Sequence, residues 1–128
     1  MKIQHSAENY LETIYMLRKN KGSCRSIDIA NELGFSKPSV SVAMKNLRTN
    51  GYIEVSGDGN ITLLEPGEKI ARELFERHTM LTRFLVSIGV SEDIAAEDAC
   101  RIEHVISKES FDAIKQSFTR HKSTGELI

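Results

Sequence analysis

Cysteine, glutamate and histidine at positions 100, 103 and 104 supply a thiol, a carboxylate and an imidazole at i, i+3 and i+4. On a helix that spacing places all three on one face. A divalent transition metal can use them together, because sulfur and imidazole suit softer ions and carboxylate oxygen suits harder ones. The same residues also suit a purely structural part, a buried thiol beside a solvated acid and an interhelical hydrogen bond, and spacing alone leaves both readings open. Further donors stand elsewhere in the chain. Asn9 and Glu12, three residues apart, offer oxygens, and His78 offers a second imidazole. If these three segments converge, the donors suffice for one metal ion and could serve two. An enzyme built on Cys100 and His104 fits poorly, since no third orienting group or oxyanion donor is evident and a mid-helix thiol is badly placed for attack.

A second chemistry is carried by cations. From Arg18 to Asn50 the basic residues Arg18, Lys19, Lys21, Arg25, Lys37, Lys45 and Arg48 face only Asp28 and Glu32. The formal net charge of the whole chain is −1, yet up to Leu64 it holds 8 Lys/Arg against 6 Asp/Glu, and from Glu65 onward 9 against 12. A local basic surface can hold a polyanion even on a neutral protein.

The elements that must position these groups follow from apolar spacing and stop signals. Ser6 caps a first helix with Leu11, Ile14, Tyr15 and Leu17 on one stripe, fraying in the polar stretch Lys19 to Cys24. Ser26 caps a short second helix carrying Ile27, Ala30 and Leu33, which Gly34 ends. Ser36 caps a third, with Pro38 in its first turn and Val40, Ala43, Met44 and Leu47 on its buried side, and Asn50-Gly51 stops it. Two apolar runs, Tyr52 to Val55 and Ile61 to Leu64, flank the turn-forming Ser56-Gly57-Asp58-Gly59-Asn60 and predict a β-hairpin. Helix, tight turn, helix and hairpin together make a winged helix-turn-helix. In that arrangement the third helix enters the major groove, bringing Ser36, Lys37, Pro38, Ser39, Ser41, Lys45 and Arg48 to the DNA. The wing-tip Asn60 is expected to lie along the adjacent backbone, and Arg25 is a further expected DNA contact.

Pro66 opens a long helix whose apolar row Ile70, Leu74, Leu81, Leu85 and Ile88 includes His78, and Gly89 ends it. Ser91 caps the helix bearing the Cys-Glu-His face, which runs to about Ile106. Ser107 caps a last helix with Phe111, Ile114 and Phe118, and the polar tail from Thr119 is expected not to be firmly ordered. The expected division is a DNA-binding domain over residues 1–64 and a helical domain over 65–128, with almost no linker between them. The fold class is therefore mainly α with one two-stranded wing.

At 128 residues, 40% hydrophobic and 27% charged, the chain is long enough for one modest core or two small lobes. It has no apolar run of the roughly 20 residues a membrane helix needs, and its first residues lack the apolar stretch of a secretion signal. A cytoplasmic location is expected. Cys24 and Cys100 stand far apart with no CxxC pair, so free thiols are expected rather than a disulfide or a zinc knuckle.

The stretch from Ser6 to Leu17, the segment from Asp28 to Ser41, the pair Arg77-His78 and above all the stretch from Ala99 to Ser107 resemble the diphtheria toxin repressor and manganese transport regulator family. The resemblance covers nearly the whole chain, in order. It implies a metal-activated transcriptional repressor that binds a palindromic operator as a homodimer, in a short form without the SH3-like domain of longer members. It also implies that the first helix comes against the metal-bearing helix. Carried over by position, Cys100, Glu103 and His104 match the primary metal ligands, and Glu12 and His78 match ligands of a second metal in some members. Cys at position 100 is typical of the iron-responsive branch, so iron(II) is the expected effector, with manganese(II) next. Asn9 stands where the iron branch has Met and the manganese branch Asp, and so fits neither. Thr82 and Ala96 stand where iron-type members have Glu and His, leaving an iron-type ancillary site incomplete. A metal-independent winged-helix regulator, with Cys100 and His78 as core residues, is the remaining alternative.

Overall fold

Local sequence signals set the order of elements: α1 (His5–Lys21), α2 (Ser26–Leu33), α3 (Lys37–Thr49), β1 (Ile53–Val55), β2 (Ile61–Leu63), α4 (Glu65–Ser87), α5 (Glu92–Val105) and α6 (Lys108–Thr124). They are seen in a computed structural model that describes residues 5–124. The mainly helical class and the two-stranded hairpin are as the sequence predicts. The chain divides into two compact units, the first ending at Glu73 and the second beginning at Leu74. This division falls inside α4, because Ala71 is fully buried in the first core and Ile70 packs against it.

In the first unit Leu11, Ile14, Ile29, Val40, Met44, Leu47, Ile53 and Ile61 form the centre of the core. Gly34, at φ 69°, ends α2 by sending its own N–H and that of Phe35 back to the Ala30 carbonyl, a turn that the left-handed conformation permits. The residue preceding α2 is Arg25 rather than Ser26, and its backbone N–H donates to Asp28 Oδ2 at 3.0 Å. That bond and the Lys21 ammonium hold the Asp28 carboxyl below its ordinary range. The Ser36 cap of α3 is as expected, its hydroxyl accepting from Ser39 N at 3.3 Å.

The wing pairs Ile53 with Leu63, Glu54 with Thr62 and Val55 with Ile61, antiparallel. It is fastened to the rest of the unit at the start of β2, next to the hairpin turn. Ile61 N donates to the Cys24 carbonyl at 2.7 Å, and the Arg18 guanidinium donates to the Ile61 carbonyl at 2.8 Å. Burial, and secondarily the charge of Asp28, pushes the Cys24 thiol up to about 11, so this cysteine is a core residue and not a nucleophile.

In the second unit Leu81, Ala99 and Phe111 form the core, with Met80, Ile102, Ile106 and Ile114 against them. Two sequence expectations fail here. Ile88 lies beyond the end of α4 and is exposed, because the chain turns there toward Gly89. The tail expected to loosen at Thr119 instead continues α6 to Thr124. Phe118 anchors that helix in an edge-to-face contact with Phe84, at 6.3 Å between ring centroids. Residues 125–128 lie outside the described residues.

Gly67, in the first turn of α4, is where backbones come closest. A β-carbon there would collide with the Tyr52 carbonyl, which is held in place by accepting from Leu64 N, and would press on Leu11. Alanine in an open helix position gains about 1 kcal/mol over glycine. Gly67→Ala is expected to do the reverse and lower unfolding free energy by about 2 kcal/mol, measured by urea denaturation.

Candidate metal centre and nucleic-acid interface

The α5 helix presents Ala95, Ala99 and Glu103 to the interior at four-residue intervals. Two small side chains leave room for the third, so Glu103 is drawn fully inside, with 0% of its side chain exposed. An ionised carboxylate without water must be compensated by charge or hydrogen bonds. Its Oε1 lies 2.9 Å from His78 Nδ1, and its Oε2 lies 3.8 Å from His104 Nε2. A carboxylate oxygen accepts, so Nδ1 of His78 must be the donor. With a neutral ring this leaves His78 Nε2 as a free-electron-pair donor, the tautomer that a carboxylate imposes on metal-binding histidines. His78 is 28% exposed and His104 only 3%.

Cys100 is on the same helix but is exposed. The structural alternative supposed a buried thiol beside a solvated acid, and the structure has them the other way round. The chemistry of these donors, a buried carboxylate, the buried His104 imidazole and the half-buried His78 imidazole, fits a divalent transition metal. Glu12 on α1 is buried, whereas Asn9 is half-buried, its backbone carbonyl accepting from the Thr13 hydroxyl at 2.8 Å. At the positions of the iron-type ancillary site, Thr82 spends its hydroxyl on the His78 carbonyl at 2.7 Å, and Ala96 offers no donor.

Arg77 has no signal in spacing that marks it, yet it holds α5. Its Nη1 donates to the Glu103 and Ile106 carbonyls, both at 3.1 Å, where the last turn of α5 has no intrahelical partners. The guanidinium carbon also lies 5.6 Å from the centre of the Phe111 ring.

In the first unit, α3 buries Val40, Met44 and Leu47 and exposes Lys37, Pro38, Ser39, Ser41, Lys45 and Arg48. Ser36 is exposed too, and its hydroxyl is engaged with Ser39, donating to that hydroxyl at 2.8 Å. Some of the basic run serves the fold. Arg18 holds the wing, Lys21 pairs with Asp28 at 3.1 Å, and Arg25 approaches Asp58 at 3.8 Å. At the wing tip, bonds from the Ser56 hydroxyl and Asn60 N, and then the Arg25 charge, hold the Asp58 carboxyl below its ordinary range. Asn60 is half-buried and uses its side-chain oxygen within the fold, accepting from Cys24 N at 3.2 Å and from Arg18 at 3.4 Å.

A winged helix-turn-helix with a basic reading helix, joined to a helical unit that buries a carboxylate between two imidazoles, defines a DNA-binding protein with metal-donor chemistry. Residues 2–61 match the iron dependent repressor N-terminal DNA binding domain, and residues 64–124 match the iron dependent repressor metal binding and dimerisation domain. The chain belongs to this family of metal-dependent transcriptional repressors. It is 39% identical over 114 residues to the transcriptional regulator MntR of Escherichia coli O6:H1, covering 89% of this chain and 74% of that regulator. To the HTH-type transcriptional regulator MntR of Bacillus subtilis strain 168 it is 38% identical over 109 residues, covering 85% and 77%. A solved manganese-dependent transcriptional repressor in complex with manganese superposes with a TM-score of 0.79 at 25% identity, covering 87% of this chain and 51% of that one. The chain thus spans about half the length of such solved structures. Among the described residues no helix is long and apolar enough to cross a membrane.

Arg77→Ala is expected to lower unfolding free energy by about 2 kcal/mol, the worth of two partly buried hydrogen bonds from a charged donor. Thermal unfolding checks this.

Proposed function

We propose that the protein is a manganese(II)-responsive repressor that binds a palindromic operator as a homodimer. The observation that carries this reading is the fully buried Glu103 carboxylate with an imidazole beside each of its oxygens. Glu103, His104 and His78 would hold the metal, with Glu12 and Asn9 as oxygen donors from α1, and the metal would supply the positive charge that the buried carboxylates require. By sharing it, α1 and α5 would be tied together, so that occupancy and operator affinity rise together.

The iron(II) preference expected from the sequence rested on Cys100. A soft thiolate on an exposed side chain contributes less to that preference than the buried carboxylate does against it, because carboxylate and carbonyl oxygens suit manganese. The relatives named MntR and the manganese-dependent repressor favour the same reading. Asn9, a neutral carbonyl donor in place of a carboxylate, would weaken the metal site without changing its hard character. Cys100 remains a proposed outer ligand. On the DNA side, Lys37, Lys45 and Arg48 would neutralise phosphates while Ser36, Pro38, Ser39 and Ser41 approach base edges. Arg25 and Asn60 would contact backbone phosphates from the wing side, Asn60 through its amide NH2.

Anaerobic fluorescence anisotropy with operator fragments selected from random duplexes tests this. Manganese(II) is expected to raise affinity by about tenfold or more over chelator in the wild type and to have little effect in His104→Ala. Equal binding in chelator and in metal overturns the sensor reading, and activation by iron(II) but not manganese(II) returns the preference to iron. Lys45→Ala is expected to weaken binding across sequences and to reduce the slope of log affinity against log salt by about one. An unchanged slope removes Lys45 from the phosphate contacts.

A further inference from the structure

On α3 the buried residues Val40, Met44 and Leu47 define the inward face, and Pro38, Val42, Lys45 and Thr49 lie opposite, all exposed. Val42 is 61% exposed, an apolar β-branched side chain on a surface it shares with Pro38, Lys45 and Thr49. The core does not use it, and the helix does not favour it, since a branched side chain loses rotamer freedom there. Phe35, the nearest other exposed apolar residue in sequence, has a partner of its own in the Tyr10 ring, at 6.0 Å between centroids.

The position of Val42 gives it a use. It lies in the first half of α3, and the N-terminal residues of a reading helix reach base edges in the major groove. A valine side chain can neither donate nor accept a hydrogen bond. The one apolar group that any base pair displays in the major groove is the C5-methyl of thymine. Cytosine at the same place would press its amino group against an apolar surface, where it loses its water without gaining a partner. We propose that Val42 is a specificity-determining residue that reads the methyl group of one thymine in each operator half-site, an inference that rests on the DNA-binding reading above.

Deoxyuridine removes that methyl and leaves base pairing intact. Each thymine of one half-site in the selected operator is replaced in turn, and binding of the manganese(II)-loaded protein is measured by anisotropy. At one position the wild type is expected to lose about fourfold in affinity, the worth of one buried methyl. Val42→Ala is expected to bind the thymine operator more weakly and to show no thymine-over-uracil preference at that position, while keeping the wild-type response to manganese(II). Val42→Gln, with a bidentate amide, is expected to select a different base there. The proposal is overturned if no thymine replacement affects the wild type, or if Val42→Ala keeps the wild-type preference. In either case metal-dependent, sequence-preferring binding leaves the repressor reading standing. If the wild type shows no sequence preference with any metal, both readings fall.

Discussion

A carboxylate sealed from water is the constraint around which the second unit is organised. Left alone, Glu103 would cost several kcal/mol to keep ionised inside the protein. The neighbours answer that cost from two directions, His78 on α4 meeting one oxygen and His104, next in sequence, lying near the other. Room for the group comes from Ala95 and Ala99, and its backbone is held by Arg77. A cation at this centre would be attracted by the carboxylate and would find ligands in the same imidazoles. That is the physical reason for reading the centre as a sensor instead of as a rigid element of the core.

The first unit solves a different problem, that of presenting one helix rigidly. Gly34 turns the chain out of α2, Gly67 lets α4 close against the Tyr52 carbonyl, and Arg18 binds the wing to the end of α1. Several cations that looked available for DNA are consumed by this framework. On α3 the exposed Lys37, Lys45 and Arg48 surround a polar and apolar reading surface.

Much of the fold was legible because its signals are local. Ser36 followed by Pro38 announces the start of α3, Gly34 the end of α2, and the glycine-rich turn the wing, each through the backbone of a few residues. Signals failed where packing over long distances decides. Nothing in the polar composition after Phe118 reveals that its ring meets Phe84 and carries α6 onward to Thr124. The Asn60 side chain looks like a free wing-tip donor until its oxygen is found between Cys24 N and Arg18, more than thirty residues away in the chain. Arg77 is one cation among many until the carbonyls it serves are known.

For the site itself, residue types and the i, i+3, i+4 spacing were enough to nominate Cys100, Glu103 and His104, because helical geometry is the same in every protein. Spacing treats the three as equals. Burial does not, and only the tertiary structure made Glu103 a fully enclosed carboxylate with His78 of α4 at 2.9 Å while leaving Cys100 exposed. The donors available to one helix face are a property of the sequence. Which of them lose their water, and therefore need a metal or a proton, is decided by the neighbours that the tertiary structure brings to that face.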